Sequence, residues 1–156
     1  MANKIDTRLA ELGIDLPTPS APAANYIPFV KSGNLVFISG QVTSWNGELK
    51  FVGRLGETLD VDAGYKAARI CGMNLLAQLR SACDGNLEKV TRVVKLGGFV
   101  NSTATFTDQP KVINGASDLM VEVFGPDVGS HARFAVGAPA LPLGVSVEID
   151  GVFEIS

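Results

Sequence analysis

The chain has 156 residues, 46% of them hydrophobic and 19% charged, with 17 Gly, 8 Pro, 2 Cys and a single His. That length suits one domain, residues 1–156, and so apolar a chain buries enough surface to offset its ordering entropy, which excludes disorder. The net charge of −3 lacks the basic excess of a protein that grips nucleic acid, and so few Cys and His leave nothing for a zinc centre built from soft ligands.

Residues 1–25 read as an N-terminal extension. Asn3 to Leu12 predicts a short helix, with Asn3 as N-cap, Ile5, Leu9 and Leu12 as its stripe, and Gly13 as its end. Leu16 to Pro28 holds four of the eight prolines and reads as an extended segment fixed against the domain. The opening residues lack the basic stretch and long apolar run of a secretory signal. The uncharged stretch from Phe134 to Val147 has 14 residues including two prolines, too few to span a bilayer. A cytoplasmic protein with no membrane partner is the expectation.

Phe29 to Lys31 and Leu35 to Ser39 predict two strands around a Ser32-Gly33-Asn34 turn, and Asn46-Gly47 marks a hairpin into a strand over about Leu49 to Val52. From Asp60 to Cys83 the period becomes helical, with Val61, Tyr65, Ala68, Leu75, Leu76 and Leu79 on one stripe. Cys71 and Cys83 are twelve positions apart in that helix, about 18 Å along its axis, too far for a disulfide. Val90 to Val100 predicts a buried strand in which Gly97 and Gly98 permit a bulge or a close approach. Asp108-Gln109-Pro110 opens a second helix that Gly125-Pro126 stops. Two alternating strands close the chain. His131, Arg133 and Ala135 face away from Ala132, Phe134 and Val136, while Val147, Ile149, Phe153 and Ile155 face the core opposite Glu148 and Asp150.

This order predicts an α+β fold: a mixed sheet with two main helices packed on one face, plus the short N-terminal helix. Arg133 and Glu148 are expected on the uncovered face, whose apolar positions suit contact with another subunit. A guanidinium there can grip a carboxylate bidentately, and a half-buried glutamate can hold a water or act as general base. An ion pair between Arg133 and Glu148 or Asp150 is the alternative for the same residues. Ser39 and Asn114 offer neutral hydrogen bonds, and His131 is the one imidazole available to a triad. Phosphate-cradling glycine loops and the G-x-S-x-G elbow are absent.

The run His131-Ala132-Arg133-Phe134-Ala135 through Leu141-Pro142, followed by Val147-Glu148-Ile149-Asp150, resembles the C-terminal signature of the Rid family. These are YjgF-like proteins, reactive intermediate deaminases also called endoribonuclease L-PSP. Ser39-Gly40-Gln41, Ala67-Ala68-Arg69 and Val112-Ile113-Asn114 resemble further family segments, and the likeness runs from Tyr26 to Ile155. The resemblance implies a chorismate-mutase-like fold and a homotrimer with clefts between subunits. It implies cofactor-free hydrolysis of enamine or imine intermediates such as 2-aminoacrylate to a 2-keto acid and ammonia. By position, Arg133 matches the arginine that grips the substrate carboxylate and Glu148 the glutamate that helps hold the attacking water. Ala135 stands where the family has a cysteine whose backbone carbonyl shares that task, and Ser39 and Asn114 match polar cleft residues. Phe29, after Pro28, stands where the family has a tyrosine, so that phenol is missing, and the helix after Asn114 is longer than usual. The competing expectations are a non-catalytic, small-carboxylate-binding or chaperone-like trimer and, third, an endoribonuclease, with nucleic acid disfavoured by the charge.

Overall fold

The computed structural model describes residues 3–22 and 24–156; Met1, Ala2 and Ala23, all in the expected N-terminal extension, lie outside the described residues. In chain order the elements are α1 (Lys4–Glu11), β1 (Phe29–Ser32), β2 (Leu35–Val42), β3 (Ser44–Trp45), β4 (Glu48–Leu49), α2 (Val61–Ala82), β5 (Val90–Asn101), α3 (Gln109–Gly129), β6 (Ala132–Ala138) and β7 (Val147–Ile155). Five strands form one mixed sheet in the order β1-β2-β7-β5-β6, and β3 and β4 form a separate hairpin. Only the β5–β6 pair is parallel, and α3 supplies the crossover that a parallel pair requires. The α+β class is as the periodicity predicts.

Local chemistry sets the boundaries. The Asn3 side chain caps α1 by accepting from the Asp6 N–H at 2.8 Å, and Gly13 leaves the helix at φ +68. Asp60 caps α2 in the same way, accepting from Ala63 at 2.9 Å. Asn46 and Gly47 both take positive φ, 49° and 88°, as a two-residue turn between right-twisted strands demands. The strand after that turn is shorter than the sequence suggests. It ends at Leu49, and Val52 makes only an isolated bridge to Val145.

Helices α2 and α3 cover one face of the sheet, and Val147, Ile149 and Phe153 of β7 are fully buried beneath them. Gly98 lets α3 approach, since a Cβ there would meet three Ile113 carbons at 2.7 to 2.9 Å. Close approach is therefore the role of the β5 glycines, and the register shifts of that strand lie earlier, between Val90 and Lys95. The Gly125-Pro126 stop proves to be a kink. Gly125 breaks the helix at φ 80°, and one further turn carries the chain to Gly129. The proline-rich segment is tied down as expected, with the Thr18 N–H on Asn46 Oδ1 and the Gln78 amide on the Ser20 carbonyl, both at 2.9 Å.

The uncovered face carries Val30, Phe37, Phe99 and Val136, each 40% to 49% exposed. Glu148 lies on it, opposite Phe99, but Arg133 does not. Arg133 pairs in register with the fully buried Leu96, and its guanidinium bonds to α3, so it belongs to the helix-covered side at the β6 edge. The alternation within β6 is as expected; which side faces the helices is reversed, because α3 runs alongside the edge strand and draws the odd-numbered side chains toward itself.

Candidate functional site

The candidate residues fall into two groups. Around Glu148 a cleft of ≈ 450 Å³ is lined by Tyr26, Pro28, Gly40, Gln41 and Leu143 among others. Strand β2 loses its register with β7 between Ile38 and Gln41, and the irregularity sits where the glutamate needs room. The Glu148 carboxylate lies directly against Gly40, in the space a Cβ would occupy. Burial pushes its pKa up from the ordinary 4.5, and the neighbouring Asp150 adds to the rise. Neither acid takes part in an ion pair among the described residues. A carboxylate in this state is a competent proton acceptor and water holder.

Ser39 supports this cleft from behind. Its hydroxyl donates to the Ile27 carbonyl and its N–H to the Pro28 carbonyl, both at 2.9 Å, which pins the segment that carries Tyr26. Phe29 faces elsewhere. It pairs with buried Ile38 and packs against the core, whereas Tyr26 is 47% exposed and lines the cleft. Phe29, which stands where the family has a tyrosine, thus lies on the core side of β1, and the tyrosine that lines the cleft, Tyr26, comes from three residues earlier in the chain.

The second group lies between α3 and β6. Pro110, Asn114 and Ser117 are spaced four and three apart on α3 and so share one face. Arg133 reaches this face, donating from Nη1 to Ser117 Oγ and from Nη2 to the Pro110 carbonyl, both at 3.1 Å. Ala135, two residues on, packs against the core beside Gly98 on the same side. His131 Nδ1 lies 2.6 Å from the Gly129 carbonyl, and its Nε2 lies 2.8 Å from Ser117 Oγ. A carbonyl can only accept, so the ring proton sits on Nδ1 and Nε2 accepts from the serine hydroxyl. Burial lowers the pKa of His131 and the Arg133 charge lowers it further, against the Gly129 bond, so the ring is held neutral.

The expected alternative, an ion pair of Arg133 with Glu148 or Asp150, is not formed. Strand β5 separates β6 from β7, roughly 9–10 Å of sheet, and the two side chains point to opposite faces. Arg133 is instead oriented by two neutral acceptors and forms no ion pair among the described residues. Ser117 went unnoticed in the sequence, although its place seven residues after Pro110 on a helix, with His131 and Arg133 alternating on one strand side, held the signal.

A mixed five-stranded sheet with two helices on one face, carrying at its parallel edge an arginine held by neutral acceptors and on its open face a desolvated glutamate, defines a narrow class. The sequence profile described as "YjgF/chorismate mutase-like, putative endoribonuclease" matches residues 6–153, and the chain belongs to that family. It is 44% identical over 155 residues to protein TCP17 of Trypanosoma cruzi, covering 99% of this chain and 96% of that one. It is similar to the crystal structure of Agrobacterium tumefaciens Atu1372, a protein described as of unknown function, with 46% identity, a TM-score of 0.90 and coverage of 97% and 92%. It is also similar to a structure from Shewanella oneidensis described as an endoribonuclease of the same provisional kind, with 34% identity, a TM-score of 0.94 and coverage of 98% and 100%.

Proposed function

We propose that the protein hydrolyses small enamine or imine acids to 2-keto acids and ammonia in a cleft between subunits of a homotrimer. One observation carries this reading: Arg133 and Glu148 have no ion-pair partner among the described residues, yet a single chain holds them on opposite faces of its sheet. A neighbouring copy joins them when the β6 edge of one protomer meets the open face of the next. The apolar residues on that face support such contact.

The chemistry needs little else. Arg133 binds the substrate carboxylate, with Asn114 on the same helix face. The enamine takes a proton at carbon to become the imine. Glu148 holds a water and accepts its proton as the oxygen adds to the C=N carbon, the nitrogen taking a proton in turn. The carbinolamine then collapses: its hydroxyl proton passes by way of Glu148 to the nitrogen, and the C–N bond breaks as ammonia leaves and the carbonyl forms. Such a substrate is already activated, so positioning and one base suffice.

The test uses 2-aminoacrylate generated in situ, with Arg133→Ala and Glu148→Gln made separately. Each variant alone is expected to lose about 100-fold or more of its turnover. Mixing the two by unfolding and refolding together restores a fraction of activity, because some clefts receive both intact residues. Wild-type turnover without such restoration would place both residues in one chain's site and overturn the shared cleft. Binding of a keto acid such as pyruvate with no imine turnover would replace the enzyme reading with that of a carboxylate-binding trimer.

A further inference from the structure

Three half-buried side chains between α3 and β6 form a relay that imine hydrolysis does not call for. The Ser117 hydroxyl donates to His131 Nε2 at 2.8 Å, His131 Nδ1–H donates to the Gly129 carbonyl at 2.6 Å, and Arg133 Nη1–H donates to Ser117 Oγ at 3.1 Å. In order these are a hydroxyl, a base that can take its proton, a group that fixes the tautomer of the base, and a cation at the oxygen that would become anionic. We infer that Ser117 is a nucleophilic serine, activated by His131 and Arg133, that accepts acyl groups from small activated esters. The site shares Arg133 with the proposed deaminase cleft and uses neither Glu148 nor its surroundings.

The fold supplies the geometry from the C-terminal end of α3. The Gly125 kink ends the regular helix and adds a turn that finishes at Gly129, and the carbonyl of that turn is the one His131 requires. His131 then begins the approach to β6, so the same two-residue step along the strand sets both His131 and Arg133 toward Ser117. The imidazole is neutral, as a general base must be, since burial and the guanidinium both disfavour its charged form.

Attack by Ser117 Oγ on the ester carbonyl forms the C–O bond while the hydroxyl proton passes to Nε2. The oxyanion forms beside Arg133 Nη1, which already donates to Oγ. Collapse expels the alkoxide or phenoxide, which takes the proton from Nε2. Water then adds to the acyl-serine with His131 again as base, releasing the acid and restoring the serine. A carbonyl at Nδ1 orients the ring without neutralising an imidazolium, and Arg133 disfavours that cation further. The substrate class follows: aryl or enol esters, whose leaving groups depart without a strong acid to help them.

The experiment treats the full-length protein with p-nitrophenyl acetate and, separately, with a fluorophosphonate, reading phenol release and intact mass. One adduct per chain, mapped to the peptide containing Ser117, is expected. It is absent in Ser117→Ala and forms roughly 100-fold more slowly in His131→Gln, with melting curves as the folding control. Glu148→Gln is expected to lose imine turnover while keeping the adduct, so the two readings fail separately. No adduct on the wild type, an adduct elsewhere, or labelling of folded His131→Gln at the wild-type rate overturns the proposal. Wild-type mapping decides the matter even if a variant fails to fold.

Discussion

The Glu148 cleft and the Arg133 edge are built by opposite means. At Glu148 the fold removes matter and partners: a strand irregularity, a glycine in place of a side chain, and no cation among the described residues to meet the charge. At Arg133 the fold adds partners, and α3 supplies a serine hydroxyl and a carbonyl that lock the guanidinium in place. The first region raises the proton affinity of its carboxylate by withholding solvent. The second orients a permanent cation, which cannot be tuned by titration and is useful only if it points correctly. A carboxylate of raised proton affinity is thus made by desolvation, and an oriented guanidinium by hydrogen bonding.

Of substitutions that leave both candidate groups in place, the larger effect should come from filling the space at Gly40. A methyl group there collides with the end of the Glu148 side chain, which is flexible, so the fold yields at little cost in stability. The carboxylate, however, must move, and a misplacement of about 1 Å is worth roughly 100-fold in rate. Gly40→Ala is therefore expected to cut imine turnover by about that factor while its melting temperature stays near that of the wild type. Unchanged turnover would mean that the carboxylate position is not critical, and the contrast between the two regions would lose one side.

A smaller effect is expected at the other region. Ser117→Ala removes one of the two bonds that orient Arg133 and keeps the bond to the Pro110 carbonyl. A guanidinium that has lost one tether still binds a carboxylate, with more freedom to lose on doing so. KM for an imino acid should rise about tenfold, equivalent to about 1.4 kcal/mol, with kcat much less changed. A fall in kcat at constant KM would instead assign Ser117 to the chemical step of that reaction.

The sequence makes the elements legible because their signals are local. Asn3 and Asp60 as caps, Asn46-Gly47 as a hairpin turn, and the alternation of Val147 and Ile149 act within a few residues, and each appears in the structure. The side of the sheet on which Arg133 falls depends on where α3 lies against β6, a tertiary relation that strand alternation does not carry. Tyr26 enters the cleft because Ser39, thirteen positions later, holds its segment by the backbone. The His131–Ser117 contact depends on the Gly125 kink and the extra turn after it, whereas the sequence shows only a stop. Residue types at the site were readable, and their grouping was not, since it comes from packing between elements distant in sequence.

The subtlest consequence is that the two regions respond to pH in opposite senses. Burial, and then the charge of Asp150, raises the pKa of Glu148 above 4.5, so the folded state holds that proton more tightly than the unfolded chain does. Its contribution to stability is complete below pH 4.5 and is lost as pH rises through the raised value. Burial, with Arg133 adding to it, lowers the pKa of His131 below 6.5, so the unfolded chain binds that proton more readily. Its contribution is complete above pH 6.5 and is lost as pH falls through the lowered value. Unfolding free energies measured against pH for the wild type, Glu148→Gln and His131→Gln isolate each part. The stability of Glu148→Gln relative to wild type should climb with rising pH from about 4.5, and that of His131→Gln should climb with falling pH from about 6.5. Parallel difference curves would mean that both groups feel the same environment, contrary to a carboxylate desolvated by burial and an imidazole held neutral beside a fixed cation.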